Sequence, residues 1–401
     1  MAEKNLSKFF DDYLKKEPLF LNKKILQNNY TPETIPHREE QIKQLASILA
    51  PALRMDKPSN VFLYGKTGTG KTCVSQYVVD QVSETCKKNN LNLKTFYLNC
   101  KLKKIADTEY RLIAELARGF GLNVPFTGLP TDKIYKMFIK EIDKEKQILI
   151  LILDEIDQLV NKVGDGILYN LTRLNSELNN CELSIIGISN DLMFTDNLDP
   201  RVKSSLSEEE LVFPPYNALQ LQDILKSRAK LAFRDKVISE GVIEKCAAYA
   251  AREHGDARRA LELLRVAGEL AERDNASFIK IEHIDEAEDK IEKDRVLDII
   301  KTQPKQFQVT MYAILEMFSK NEKIFSGEVY DYYKDICLTI GLKPLTQRRV
   351  SDIIAELDML GMINAKVISK GRYGRTREIR FMVPESTLPK LKDILKEGLG
   401  I

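Results

Sequence analysis

Four short apolar runs punctuate the first half of the chain: Val61-Phe62-Leu63-Tyr64, Thr95-Phe96-Tyr97-Leu98, residues 148–153 and residues 183–189. Amphipathic helical sequence separates each from the next. Short strands that are apolar throughout, interleaved with helices, predict a parallel sheet covered on both faces. Glu210-Leu211-Val212-Phe213, closed by Pro214-Pro215, is a shorter fifth candidate. Beyond the double proline the pattern is helical from about 218 to 300, with Leu261, Leu264, Ala267, Gly268 and Ala271 at helical spacing. Lys301-Thr302-Gln303-Pro304 then marks a boundary. After it, helical candidates at 309–320, 326–340 and 346–360 precede strand candidates at 365–369 and 376–383. Three helices and then a strand pair is the order of a winged helix-turn-helix. The expected division is a polar arm at 1–25, an α/β domain at 26–216, a helical domain at 217–300 and the winged-helix domain at 301–401.

The 401-residue length suits two or three domains, and 43% hydrophobic with 30% charged residues is an ordinary globular composition. A net charge of +2 does not advertise a nucleic-acid binder, so any such claim must rest on local clustering. The six cysteines and three histidines are scattered without zinc-site spacing. The N-terminal residues are charged and lack the apolar stretch of a secretory signal, and the most hydrophobic run, 148–153, is too short to span a bilayer. A reduced cytoplasmic setting, with no membrane partner, is the expectation.

The run at 61–64 leads directly into Gly65-Lys66-Thr67-Gly68-Thr69-Gly70-Lys71-Thr72, a full phosphate-binding loop between a strand and a helix. Its glycines let successive backbone amides face phosphate oxygens, and the helix N-terminus adds a favourable dipole. Lys71 supplies a positive charge for the β- and γ-phosphates, and the Thr72 hydroxyl is placed to ligate Mg²⁺. ATP or ADP with Mg²⁺ is therefore the expected cofactor. At the end of the 148–153 strand, Asp154 and Glu155 emerge where ligands of open α/β sheets sit. Alone, such a pair is more often an acidic cap. Paired with the loop, Asp154 is expected to hold the Mg²⁺ shell and Glu155 to polarise an attacking water. Asn190, just past the 183–189 strand, is placed to orient that water. Arg258, in Gly255-Asp256-Ala257-Arg258, opens a helix of the all-α segment and would reach the γ-phosphate from there.

These elements, in this order, resemble an AAA+ ATPase. The flanks sharpen the resemblance to archaeal initiators of the origin-recognition complex and cell-division-control class. Residues 30–39, Tyr-Thr-Pro-Glu-Thr-Ile-Pro-His-Arg-Glu, resemble that family's adenine-wrapping segment. The resemblance implies nucleotide contacts from Ile35, His37, Arg38 and Tyr216. Leu198-Asp199-Pro200-Arg201 resembles the arginine-finger segment, which gives Arg201 a catalytic role, often on a neighbouring subunit's ATP. Residues 101–140 hold more than one helix needs, and Pro125, Phe126 and Thr127 lie in what resembles the family's DNA-touching insertion. A loop packing on the core is the alternative there. The resemblance further implies tightly bound ADP.

In 346–357 the apolar face is Val350, Ile353, Ile354 and Leu357, which leaves Gln347, Arg348, Arg349 and Ser351 near an outward-facing helix start. A recognition helix reads the major groove with its N-terminal residues. The following hairpin carries Lys366, Lys370, Arg372, Arg375, Arg377 and Arg380 against one nearby acid, Glu378, with Tyr373 and Gly374 at its tip. Such a wing suits phosphate contact or a narrow minor groove. A charge run is usually a solvated face, but a basic hairpin after this helix order points to DNA.

The resemblance covers the whole chain. It implies an ATP-dependent, nucleoid-associated initiator on double-stranded origin DNA, which helps load a replicative helicase of the minichromosome maintenance type, in company with initiator paralogues. Slow hydrolysis would act as its switch. The residues alone also admit a nucleotide-gated transcription regulator, a DNA-remodelling motor, or a binding role in which hydrolysis is dispensable.

Overall fold

The computed structural model describes residues 17–27, 30–101, 108–125, 128–206, 209–318, 324–369, 375–383 and 387–401. They fall into two compact units, 1–284 and 285–401.

In the first unit, helix α1 (Glu39–Leu49) precedes strand β1 (Val61–Tyr64) and α2 (Lys71–Lys88). Then come β2 (Leu93–Asn99), α3 (Glu109–Gly119), α4 (Thr131–Ile142), β3 (Gln147–Asp154), α5 (Ile156–Val163) and α6 (Gly166–Arg173). The domain finishes with β4 (Cys181–Ser189), α7 (Pro200–Leu206) and β5 (Glu209–Val212). All five strands are parallel, in the order β2-β3-β4-β1-β5.

The continuous apolar runs follow from burial on both faces. On β3, Leu149, Leu151 and Leu153 join the core beneath α3, α4, α5 and α6. Ile148, Ile150 and Ile152 face the opposite way, into the core beneath α1 and α2. Period-two alternation is present, but between two apolar faces rather than apolar and polar ones. Both helices of the region expected to be an insertion pack into this core, through Leu112, Ile113, Leu116, Ile134 and Phe138. Backbone spacing is tight at the centre of the sheet, where a Cβ added to Gly187 of β4 would meet the Phe62 ring. Gly187→Ala is expected to cost about 1–3 kcal/mol of stability by overpacking, read as a lowered denaturant midpoint with an unchanged slope.

The helical part of this unit has α8 (Ala218–Ala232), α9 (Val242–Arg252) and α10 (Ala257–Arg273). Part of the expected polar arm is built into it. Leu19, Ile25 and Leu26 are buried, Leu21 N donates to the Ala232 carbonyl at 2.8 Å, and Arg234 N donates to that of Leu19 at 3.1 Å. The Phe20 and Phe233 rings pack tilted by 30°, with centroids 4.5 Å apart.

The division between the units falls within α11 (Ile281–Thr302). The second unit continues with α12 (Lys305–Phe318), β6 (Ile324–Phe325), α13 (Ser326–Thr339) and α14 (Gln347–Met359). It ends with β7 (Ile363–Ser369), β8 (Arg375–Phe381) and α15 (Leu388–Leu399). Strand β8 pairs antiparallel with both β6 and β7. Neither β6 nor α15 is among the elements expected from sequence. Helix α15 buries Leu391, Leu395 and Leu399 in the same core as Val350, Ile354 and Leu357. Among the described residues no helix is long and apolar enough to cross a membrane.

Candidate nucleotide cleft and nucleic-acid interface

Strand order decides which residues meet. Because β4 lies between β1 and β3, Asn190, just past β4, stands between the 65–72 loop and Asp154. A cavity of about 470 Å³ opens beyond these carboxyl ends, the expected ligand position for such a sheet.

The loop is held in shape from below. Gly70 caps α2 at φ +92°, a left-handed conformation that favours glycine. Lys71 is 5% exposed, and its ammonium donates to the carbonyls of Gly65 (2.6 Å) and Lys66 (2.7 Å) and to Asn190 Oδ1 (3.0 Å). Burial lowers its pKa to about 8, against the opposing pull of Asp154.

Asp154 is a hub. Its Oδ2 accepts the Thr72 hydroxyl at 2.9 Å and the Tyr97 phenol at 2.7 Å, while Oδ1 accepts the Glu155 amide at 2.9 Å. Glu155 turns the chain from β3 into α5 at φ +55°, and Lys101 Nζ lies 3.5 Å from its carboxylate. Asp157 anchors the neighbouring turn by accepting the Ser189 hydroxyl (3.2 Å) and the Asn190 amide (3.4 Å). Arg258, in the first turn of α10, also lines the cavity.

The segment before the sheet closes another side. Ile35 and Tyr216 line the cavity. Arg38 is 2% exposed, and its guanidinium lies 3.9 Å from the Tyr216 ring centroid. It donates to the carbonyls of Thr69 (2.9 Å), His37 (3.1 Å) and Pro214. Arg38 thus braces the loop from outside through its backbone. His37, at φ +62°, places Nε2 3.0 Å from Asp223 Oδ2. Arg201 stands apart from the cavity lining, 86% exposed and paired with Asp199 at 3.1 Å.

Tyr97, Arg228 and Asp256 are among the contributors not singled out from sequence. Tyr97 reaches Asp154 from β2, and only its place in the carboxyl half of a strand hints at that. Arg228 lines the cavity with its guanidinium 4.6 Å from the Tyr30 ring centroid. Asp256 caps α10 beside the loop, and its one signal is a helix-capping residue ahead of Arg258.

In the second unit, α14 buries Val350, Ile353, Ile354 and Leu357. Gln347, Arg348 and Arg349 are exposed at its start, where Thr346 caps the helix by accepting the Arg349 amide at 3.4 Å. Arg349 lies 3.6 Å from Asp352. Ser351 is half-buried, and its carbonyl accepts a hydrogen bond from Arg377 Nη1 at 3.1 Å, which ties β8 to α14. Arg375 begins β8, opposite Ser369. Lys370, Arg372, Tyr373 and Gly374 lie outside the described residues, as do Phe126 and Thr127. Pro125 is exposed, and its carbonyl accepts the Tyr110 hydroxyl at 2.9 Å.

An AAA-type P-loop domain with a helical lid, in one chain with a winged helix, is the class these features define. Residues 54–193 match the family described as AAA domain, 222–289 the Cdc6 AAA+ ATPase-type lid domain, and 298–390 the CDC6 C-terminal winged helix domain. The chain is 52% identical to the ORC1-type DNA replication protein of Thermococcus onnurineus, over 99% of this chain and 95% of that protein. It is also 52% identical to ORC1-type DNA replication protein 1 of Archaeoglobus fulgidus, over 95% and 92% of the two chains. In structure it resembles the Aeropyrum pernix ORC1 protein in complex with DNA, with TM-score 0.83 and 43% identity over 95% of this chain and 98% of that one. The chain belongs to the ORC1-type family of DNA replication proteins.

Proposed function

We propose that this protein is a replication initiator that binds origin duplex DNA and responds to adenine nucleotide in the cleft at the sheet ends. The observation that carries this reading is the pairing of a complete phosphate-binding loop, backed by Lys71, Asn190 and Asp154, with a winged helix whose α14 start is exposed.

In the cleft, Lys71 exchanges its carbonyl and Asn190 partners for β- and γ-phosphate oxygens, while the loop amides receive the remaining phosphate charge. Thr72 and Asp154, one hydroxyl and one carboxylate with oxygens 2.9 Å apart, suit Mg²⁺, which binds few protein oxygens and keeps several waters. Bound there, the ion would neutralise phosphate charge. Ile35 and Tyr216 face the rest of the nucleotide, with His37 and Arg38 holding that segment in place. Glu155 takes the proton side of a water that Asn190 orients, and Arg258 meets the γ-phosphate from the lid. Hydrolysis is slow and serves as a switch. Arg201, exposed and apart from this cleft, acts on a neighbouring subunit's nucleotide when copies assemble on DNA.

On DNA, Gln347, Arg348, Arg349 and Ser351 face the major groove. The hairpin residues Lys370, Arg372, Tyr373, Gly374, Arg375 and Arg377 form the wing side, and Pro125, Phe126 and Thr127 add contact from the α/β domain. Recruitment of a minichromosome maintenance-type helicase, alongside initiator paralogues, is part of the same proposal, and likeness to ORC1-type DNA replication proteins supports it.

The test is binding to origin-derived and scrambled duplexes, with ATP or ADP, across a salt series. Origin preference supports the reading. Equal, purely salt-driven binding to both duplexes would remove sequence-specific recognition and favour a motor. Glu155→Gln is expected to retain ATP affinity within about threefold and lose turnover by at least about 10²-fold, measured by phosphate release.

A further inference from the structure

A carboxylate stands where the lid meets the phosphate-binding loop. Asp256 stands immediately before α10, and its Oδ1 accepts the amides of Arg258 (2.8 Å) and Arg259 (3.4 Å). That much is ordinary helix capping, which Ser, Thr or Asn would also provide. Capping does not account for the other oxygen, Oδ2, which accepts the Thr67 hydroxyl at the tip of the loop, 3.3 Å away. A second bond runs the opposite way, from the Ala257 amide to the Gly68 carbonyl at 3.2 Å. Gly68 is itself shaped for the encounter. It sits at φ +69°, and a Cβ there would collide with the Asp256 carboxylate. Next to it, Lys66 Nζ lies 3.4 Å from His254 Nδ1, two residues before Asp256.

We propose that Asp256 is a positioning residue: it clasps the tip of the phosphate-binding loop to the first turn of α10, so that the loop sets where Arg258 stands. This rests on the nucleotide reading of the same cleft. A phosphate that draws the loop amides towards itself moves Thr67 and Gly68. Through the two opposed bonds, that shift passes to the Asp256–Arg258 turn. Arg258 then meets phosphate from a position that loop occupancy has set. Asp256 touches neither ligand nor reacting atom in this arrangement, and it acts through Arg258.

The experiment uses the full chain, with ATP–Mg²⁺ and ADP–Mg²⁺ affinities from calorimetry and tryptic cleavage of the lid as a second readout. Three substitutions separate the clasp from the cap. Asp256→Ser keeps a capping oxygen but is too short to reach Thr67 as well. Thr67→Val removes only the hydroxyl. Asp256→Asn keeps the capping oxygen and reverses the second contact, with Nδ2 donating to the Thr67 hydroxyl oxygen. Asp256→Ser and Thr67→Val are expected to weaken ATP about tenfold and to shift the ATP/ADP affinity ratio by about the same factor. Both should lose ATP protection of the lid at an unchanged melting temperature, and Asp256→Asn should restore wild-type behaviour. Arg258→Ala should add little in either weakened background, because the clasp and the arginine act as one unit.

Wild-type affinity ratios in Asp256→Ser and Thr67→Val would overturn the clasp, as would losses that multiply with Arg258→Ala. A wild-type chain that binds neither nucleotide would overturn the nucleotide reading, and the inference with it.

Discussion

Lys71→Ala is expected to weaken ADP and ATP binding by roughly 10²- to 10³-fold, because charge-assisted hydrogen bonds contribute about 1.5–3 kcal/mol each. The structure explains why the effect should exceed that of losing a surface lysine. The residue is buried, and its ammonium's partners are neutral oxygens of Gly65, Lys66 and Asn190. Phosphate is thus the first full negative charge it would meet at hydrogen-bond distance apart from these dipoles. Burial has already lowered its pKa to about 8, so pH provides an independent check. A bound phosphate favours the charged form and raises the pKa. Affinity should therefore be complete well below pH 8 and fall as pH rises through the free protein's value, approaching about tenfold per unit. Calorimetry from pH 7 to 9.5 measures this, with Lys71→Arg as a control that should remove the titration. A flat profile would mean that Lys71 does not supply the charge.

The second large effect concerns DNA. Gln347→Ala/Arg348→Ala is expected to lower origin-duplex affinity by roughly 10²- to 10³-fold while changing scrambled-duplex affinity by less than about tenfold, since a good side-chain pairing to a base is worth about 1–3 kcal/mol. The geometry behind this is one-sided. Val350, Ile353, Ile354 and Leu357 anchor α14 in the core, so residues 347 and 348 stand on the exposed start of the helix. Arg377 should behave differently. One guanidinium nitrogen donates to the Ser351 carbonyl, so Arg377→Ala should, beyond any loss of DNA contact, destabilise the winged-helix unit by about 1–2 kcal/mol. Equal loss on both duplexes for the α14 variant would place those residues on the phosphate backbone instead.

The strand–loop–helix skeleton was legible because burial on both sheet faces leaves β1, β3 and β4 apolar without interruption, and because the phosphate-binding loop tolerates few residue types. Asp154 and Asn190 could be placed beside that loop from their positions at strand ends. What stayed illegible was contact across long separations in the chain. Nothing local to Tyr97 announces its bond to Asp154. Nor does anything near Arg38 show that it will brace Thr69 and Pro214 rather than lie open to solvent. Helix α15 lies beyond the last element expected from sequence, and its Pro389 sits in the first turn, where the missing amide is no loss. Its Leu391, Leu395 and Leu399 spacing was the available signal. Strand β6, two residues long, carries no periodicity to detect.

The tie between residues 19–26 and the lid bears on how the chain is made. Leu19, Phe20, Ile25 and Leu26 leave the ribosome early, but their binding surface on Ala232 and Phe233 follows about 210 residues later. At roughly 5–20 residues per second, that is a wait of roughly 10–40 s. The sheet, complete by Val212, can close while this apolar strip is still waiting for its partner. The last step in assembling the nucleotide-binding half is then the docking of this early strip, which makes it a natural target for chaperones during synthesis.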